Sequence, residues 1–180
     1  MEVPPYFYFY IMPYSYSFFK EDFRLHLVSN IDKNCKFLDV GAGSGSYGLL
    51  LKTYFENIDA LEIFSDYVYE FELHEVYKNV YVSDIMDFNI KKYDYFIFGD
   101  IIEHLSIEDA TNLLNYVNMR KQKCMVAIPF EMEQGEEHGN IHETHLQPDL
   151  TNEIFLERYP FMKLLFKNDL YGYYINYDCI

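Results

Sequence analysis

Along the chain the apolar positions switch repeatedly between a helical and a strand period. Phe19, Phe23, Leu27 and Ile31 recur four apart and share one face, which predicts a helix over 17–30. A short apolar strand follows at 36–40, then a helix from Ser46 to about Phe55, a strand over 59–63 and a helix over 65–76. Residues 80–82 read as a short third strand. The fourth, 93–98, is nearly continuous in apolar and aromatic residues, as a strand covered on both faces should be. Ser106 caps the next helix, and Glu108 and Asp109 in its first turn suit the positive end of the helix dipole. A fifth strand over 124–128 ends at Pro129. Residues 130–147 form an acidic, histidine-bearing loop, and Pro148 and Asp149 start a helix running to about Arg158. Two closing strands, 161–166 and 171–177, are joined by Lys167, Asn168 and Asp169, a turn tight enough to make them antiparallel.

Strand and helix units in alternation predict an α/β fold: a doubly wound, mostly parallel sheet of seven strands, with helices on both faces and a C-terminal antiparallel hairpin. A chain of 180 residues, half of them apolar, suits one domain with a sizeable core, the aromatic arm and helix of residues 1–30 included. Three cysteines at wide spacing (Cys35, Cys124 and Cys179) give neither a disulfide framework nor a zinc pattern, and a reducing cytoplasm is the simplest setting. The first residues carry Glu2 where a signal peptide would be basic, and prolines at 4, 5 and 13 interrupt them. No apolar run approaches the roughly 20 residues of a membrane span. A net charge of −15, with local lysine pairs (Lys91–Lys92, Lys121 with Lys123) too short to make a basic stripe, argues against a nucleic-acid partner.

The chemistry concentrates first in residues 36–50, KFLDVGAGSGSYGLL, where a buried strand runs into alternating glycines and then a helix start. Such a turn lets backbone approach a ligand closely at the helix N-terminus. Asp39 selects among ligands. A carboxylate in the turn would repel a pyrophosphate and attract a ligand bearing an ammonium and a sulfonium. Gly43, Gly45 and Gly48 also spell G-x-G-x-x-G, a weak nicotinamide or flavin pattern whose frame starts two residues late and which Asp39 opposes.

The segment DVGAGSG resembles motif I of the class I S-adenosylmethionine (SAM) methyltransferases. That resemblance implies a Rossmann-like fold and SAM as cofactor, with Asp39, Gly41, Gly43 and Gly45 as its binding turn. Open α/β sheets bind ligands at the carboxyl ends of their strands, where further acids stand in order. Glu62, followed by Ile63, ends the second strand 23 residues after Asp39, where the family uses an acid to hold the ribose hydroxyls. Asp84, with Ile85, matches the acid that holds the adenine amino group. Gly99 and Asp100 match motif IV, next to the transferring methyl.

A second constellation, DIIEHL over 100–105, follows at once. If the segment turns helically, Asp100, Glu103 and His104 share one face, a half-site for a divalent metal. His142 and His145, in the loop before the next helix, offer the remaining ligand, His145 near the helix start. This resembles a subset of class I enzymes with an E-x-x-E-H motif and a later histidine, among them the small-RNA terminal 2′-O-methyltransferases and the ubiquinone-pathway O-methyltransferases. In them magnesium or manganese grips neighbouring substrate oxygens. Here Asp100 replaces the first Glu and is shorter. The same residues also read as a plain helix start, with Glu103 as its N-terminal acid and His104 as a pocket-lining or packing residue. His138 and Glu131, Glu133, Glu136 and Glu137 read as a solvated lid.

Methyl transfer asks the protein to align the reactants and, for a hydroxyl acceptor, to help remove a proton. His104 and His145 are the candidate bases. For an amine, Asp100, Glu103 or a tyrosine would orient the nucleophile. The acceptor expected is a small hydroxyl or amine compound, a sugar among the options, with residues 4–19 covering its site or serving only as an apolar arm. Two other readings stay open: a catalytically silent SAM-binding subunit that supports a partner, and a dinucleotide oxidoreductase.

Overall fold

The structure, a computed structural model, describes residues 16–178. Among them seven strands form one sheet: β1 (Phe37–Val40), β2 (Ile58–Glu62), β3 (Val80–Val82), β4 (Tyr95–Gly99), β5 (Lys123–Pro129), β6 (Lys163–Lys167) and β7 (Tyr171–Ile175). Their order across the sheet is β3-β2-β1-β4-β5-β7-β6. The first five run parallel, while β7 lies antiparallel to β5 and pairs with β6 as a hairpin. The expected mixed sheet is therefore present, with its antiparallel hairpin at the C-terminal end.

The sheet is covered on both faces because strand side chains alternate. Leu38, Val40, Phe96, Phe98 and Val126 meet Ala110, Leu113, Leu114 and Val117 of helix α4 (Ile107–Met119) and Phe155 of helix α5 (Asn152–Arg158). Phe37, Ala60, Tyr95, Ile97 and Met125 point the other way. They meet Phe23 and Leu27 of α1 (Lys20–Asn30), Tyr47 and Leu51 of α2 (Ser46–Leu51) and Val68 of α3 (Ser65–Glu70). Every residue of β1, β2 and β4 is buried, which accounts for the near-continuous apolar sequence of β4, while β1 and β2 bury Asp39, Asp59 and Glu62 among their apolar residues.

Element ends differ from expectation where tertiary contacts take over. Helix α1 starts at Lys20 rather than Ser17, because Phe19 takes a left-handed conformation and lays its ring against Phe166 and Tyr173. The helix expected over 65–76 stops at Glu70. Glu72 has φ of +49°, and a separate turn, Leu73–Glu75, drives the fully buried Leu73 towards the glycine loop. The helix expected from Pro148 begins at Asn152, where the Thr151 hydroxyl accepts from Ile154 N at 3.2 Å. Asp149 instead forms an ion pair with Arg158 at 2.6 Å. Residues 4–15 of the aromatic arm, and Cys179, lie outside the described residues. No helix among the described residues is long and apolar enough to cross a membrane.

The strand order reverses between β1 and β4: β1 continues to β2 and β3 on one side, β4 to β5 on the other. A crevice opens at such a switch point, outside the carboxyl ends of the strands. Here the turns after β1, β2, β3 and β4 all face it.

Candidate active site

A cavity of about 540 Å³ occupies that crevice, within the roughly 300–1,000 Å³ usual for a small-ligand pocket. Gly41, Gly43, Glu62, Ile63, Asp84, Ile85, Gly99 and Asp100 all wall it, so most of the residues expected to hold a cofactor meet in one place. The turn after β1 needs glycine at its start. Gly41 has φ of +63°, and a Cβ there would lie 1.9 Å from Ile101 Cδ1.

Asp39 and Gly45 stand behind this wall rather than in it. Alternation along β1 sends the Asp39 carboxylate to the face opposite Val40, which does line the cavity. Tyr77 donates its hydroxyl to Asp39 Oδ2 at 2.5 Å and accepts from Gly48 N at 3.1 Å. Burial is the main cause that pushes the Asp39 carboxyl up to about 7, against the opposing pull of Tyr77 and the Lys20 ammonium. Asp39 therefore tethers the start of α2 to the sheet through Tyr77.

Glu62 is 3 % exposed and closes the loop from the β2 side. Its two oxygens accept from Gly43 N and Phe64 N, each at 2.9 Å. Burial raises its pKa and those backbone donors pull it back. One lone pair on each oxygen is left for a ligand. Asp84 is tied by Met86 N at 2.9 Å into a local turn that holds it on the cavity wall. Asp100 has φ of +57°, an uncommon conformation, and receives the Tyr171 hydroxyl on Oδ1 at 2.5 Å.

That conformation overturns the helical reading of residues 100–104. Asp100 turns away in the left-handed region, Ile101 is non-helical, and only Ile102–His104 forms a turn, a 3-10 one. Asp100 goes to Tyr171, while Glu103 and His104 go to His145. The donor atoms of Glu103, His104 and His145 lie within 4.8 Å of one another, the one such group found among the described residues. Neither Asp100 nor His142 belongs to it; His142 is exposed on the cavity rim.

Glu103 is 1 % exposed, and neither of its oxygens has a hydrogen-bond partner. Burial first, then the nearby Asp100 and Glu143 charges, hold its pKa well above the ordinary carboxylate range. His104 presents a buried Nε2 without a partner, and its Nδ1 faces Thr144 O at 3.3 Å. His145 Nδ1 lies 2.7 Å from Met132 O. A carbonyl can only accept, so both rings place their proton on Nδ1 and their lone pair on Nε2. Burial lowers both imidazole pKa values, that of His104 to about 3 with His145 adding to the effect, so both rings are neutral. Two neutral imidazoles oriented by backbone carbonyls, beside an orphaned buried carboxylate, fit a divalent metal.

The loop over 130–147 does more than was expected of it. Glu131, Glu133, Glu136 and His138 are exposed, as a solvated segment should be. Asn140 and Glu143 are buried, however, and Asn140 through Thr144, with Leu146, form a wall of the cavity. Tyr67 of α3 lines it as well. Neither was signalled by the sequence pattern, although Asn140 and Glu143 do sit in a short Asx-type turn, with His142 N donating to Asn140 Oδ1 at 3.0 Å.

No protein-family model matches the sequence, and no curated protein matches it. The fold is shared with solved structures at low identity. Magnesium protoporphyrin IX methyltransferase from Synechocystis, with S-adenosylhomocysteine (SAH) bound, superposes with a TM-score of 0.61 at 11% identity, over 87% of this chain and 80% of its own. A SAM-dependent methyltransferase from Clostridium acetobutylicum gives 0.64 at 12%, over 87% and 89%. PigF, solved with SAH, gives 0.58 at 16%, over 85% of this chain, which spans 60% of the length of PigF. The fold of the chain is thus the Rossmann-like one of these methyltransferases.

Proposed function

We propose that the chain is a SAM-dependent methyltransferase acting on a small molecule, with a divalent metal held beside the cofactor. The observation that carries this reading is the cavity at the sheet's switch point, where the glycine turn, Glu62, Asp84 and Asp100 meet. Two neighbours of the same fold were solved with SAH. Gly41 and Gly43 let the backbone approach the amino-acid part of the cofactor. Glu62 uses its remaining lone pairs for the ribose hydroxyls, Asp84 takes the adenine amino group, and Ile85 lies against the ring. Asp100 places negative charge near the sulfonium. SAM itself supplies the activated methyl, and the protein's task is alignment.

Glu103, His104 and His145 would hold the metal through a carboxylate oxygen and two Nε2 atoms. Nitrogen donors favour manganese over magnesium. Bound there, such an ion lowers the pKa of an acceptor hydroxyl. With both imidazoles committed as ligands, Asp100 is the member of the expected catalytic group left to receive the acceptor's proton. The acceptor is then a hydroxyl compound with a second oxygen beside the reacting one, and a neutral or cationic compound suits the net charge of −15.

Thermal shifts test this reading. SAM and SAH should raise the melting temperature and NAD(H) should not, and Glu62→Ala should abolish the SAH effect. In chelator-cleaned protein Mn2+ should add a further rise that is lost in His145→Ala. Stabilisation by NAD(H) alone would point to an oxidoreductase. Tritium transfer from labelled SAM to a panel of diols, catechols and amines then identifies the acceptor, and no transfer to any would favour a silent subunit.

A further inference from the structure

Gln147 lies two residues beyond His145 and is 1 % exposed. Its side-chain nitrogen donates to Ile102 O at 2.8 Å and to Leu105 O at 3.1 Å, the carbonyls on either side of Glu103 and His104. Its side-chain oxygen accepts from Arg158 at 2.9 Å and, at a longer 3.4 Å, from Tyr159. Its backbone N–H reaches Glu103 O at 3.0 Å, beside Leu146 N at 2.8 Å on the same oxygen. All four hydrogen-bonding positions of the amide are used. Nothing in the proposed chemistry requires this residue.

The reason for it lies in Glu103. A buried carboxyl whose two oxygens have no hydrogen-bond partner is unfavourable even when it holds a proton, so the turn that carries it has to be fixed by other contacts. Gln147 grips both ends of the turn carrying Glu103 and His104, and is itself two residues from His145. It therefore ties the three ligands into one frame, which Arg158 anchors to α5. We propose that Gln147 is the positioning residue of the Glu103, His104 and His145 group, fixing it in ligating geometry before an ion arrives. This rests on the metal reading above.

Gln122 provides an internal control. It is also a buried glutamine whose nitrogen donates to two carbonyls, Ile90 O at 3.2 Å and Tyr93 O at 2.6 Å, but it belongs to none of the site's segments. Titration of chelator-cleaned protein with Mn2+, read by the electron paramagnetic resonance signal of free Mn2+, separates the outcomes. Wild type should bind one Mn2+. Gln147→Leu and the isosteric Gln147→Glu, which cannot donate to the two carbonyls, should bind it about 10–100-fold more weakly. SAH affinity, measured by calorimetry on the same samples, should stay within a few-fold of wild type and shows that each variant is folded. Gln122→Leu should lose stability but keep its Mn2+ affinity. Wild type that binds no Mn2+ overturns the metal reading and this one with it. Wild type that binds Mn2+, with folded Gln147 variants binding it equally well or losing no more than Gln122→Leu, overturns the positioning role alone.

Discussion

A single carboxylate, Asp39, shows how local chemistry and local geometry separate. Its charge suits a cationic ligand, yet the strand period turns it inward, where Tyr77 holds it and burial raises its pKa to about 7. The unfolded chain has an ordinary value near 3.8. Between those two values the folded state holds a proton that the unfolded state has released. The stabilisation is complete below the unfolded value and is lost as pH rises through about 7. Asp39→Asn keeps an oxygen for the Tyr77 hydroxyl and removes the titration. Urea unfolding at pH 5 and pH 8 should therefore show a smaller loss of stability in the variant, and the variant should be the more stable protein at pH 8. An equal slope in the two proteins would place the titration elsewhere, because Glu62 and Glu143, also raised, are common to both.

At the scale of elements, the pattern of apolar positions was sufficient for all seven strands and for the order of the helices. Strands buried on both faces write themselves as apolar runs, and the hairpin follows from a three-residue turn. The acids at strand ends were legible for the same reason, since each lies within a few residues of the strand that positions it. What escaped was recruited across the fold. Tyr77 reaches Asp39 only because Glu72 breaks the helix before it, and Tyr171 reaches Asp100 from the far hairpin. In the 130–147 loop the exposed acids Glu131, Glu133 and Glu136 come first and read as solvated charge, while the buried Asn140, Glu143 and His145 follow at spacings that match neither period. Its inner part walls the cavity, so a cofactor there should contact it directly. SAH should slow amide hydrogen exchange in peptides covering 139–146 as well as in those covering 41–48, and leave 20–30 unchanged. Protection confined to 41–48 would mean that the loop stands clear of the cofactor.

Over the whole molecule, the parallel half of the sheet builds the cavity and the antiparallel hairpin supports it. β7 lies two strands from β4, with β5 between them, and sends Tyr171 back to the carboxylate at the β4 end. Tyr16 and Phe18, the first described residues before α1, close over the same ring with centroid separations of 5.5 and 6.4 Å. A hydroxyl from the antiparallel hairpin thus holds an acid at the centre of the sheet, and removing it should cost more than removing a similar hydroxyl that supports only packing. Tyr174 supplies the comparison: it sits on the same strand, faces the opposite side and donates to half-buried Asn152 at 3.1 Å. A buried hydrogen bond to a charged group is worth about 1.5–3 kcal/mol and a neutral one about 0.5–1.5. Urea unfolding should rank Tyr171→Phe as the more destabilised variant, by a margin on the order of 1 kcal/mol. Equal losses would mean that the Asp100 carboxylate is held in place by other contacts and that the hairpin contributes packing alone.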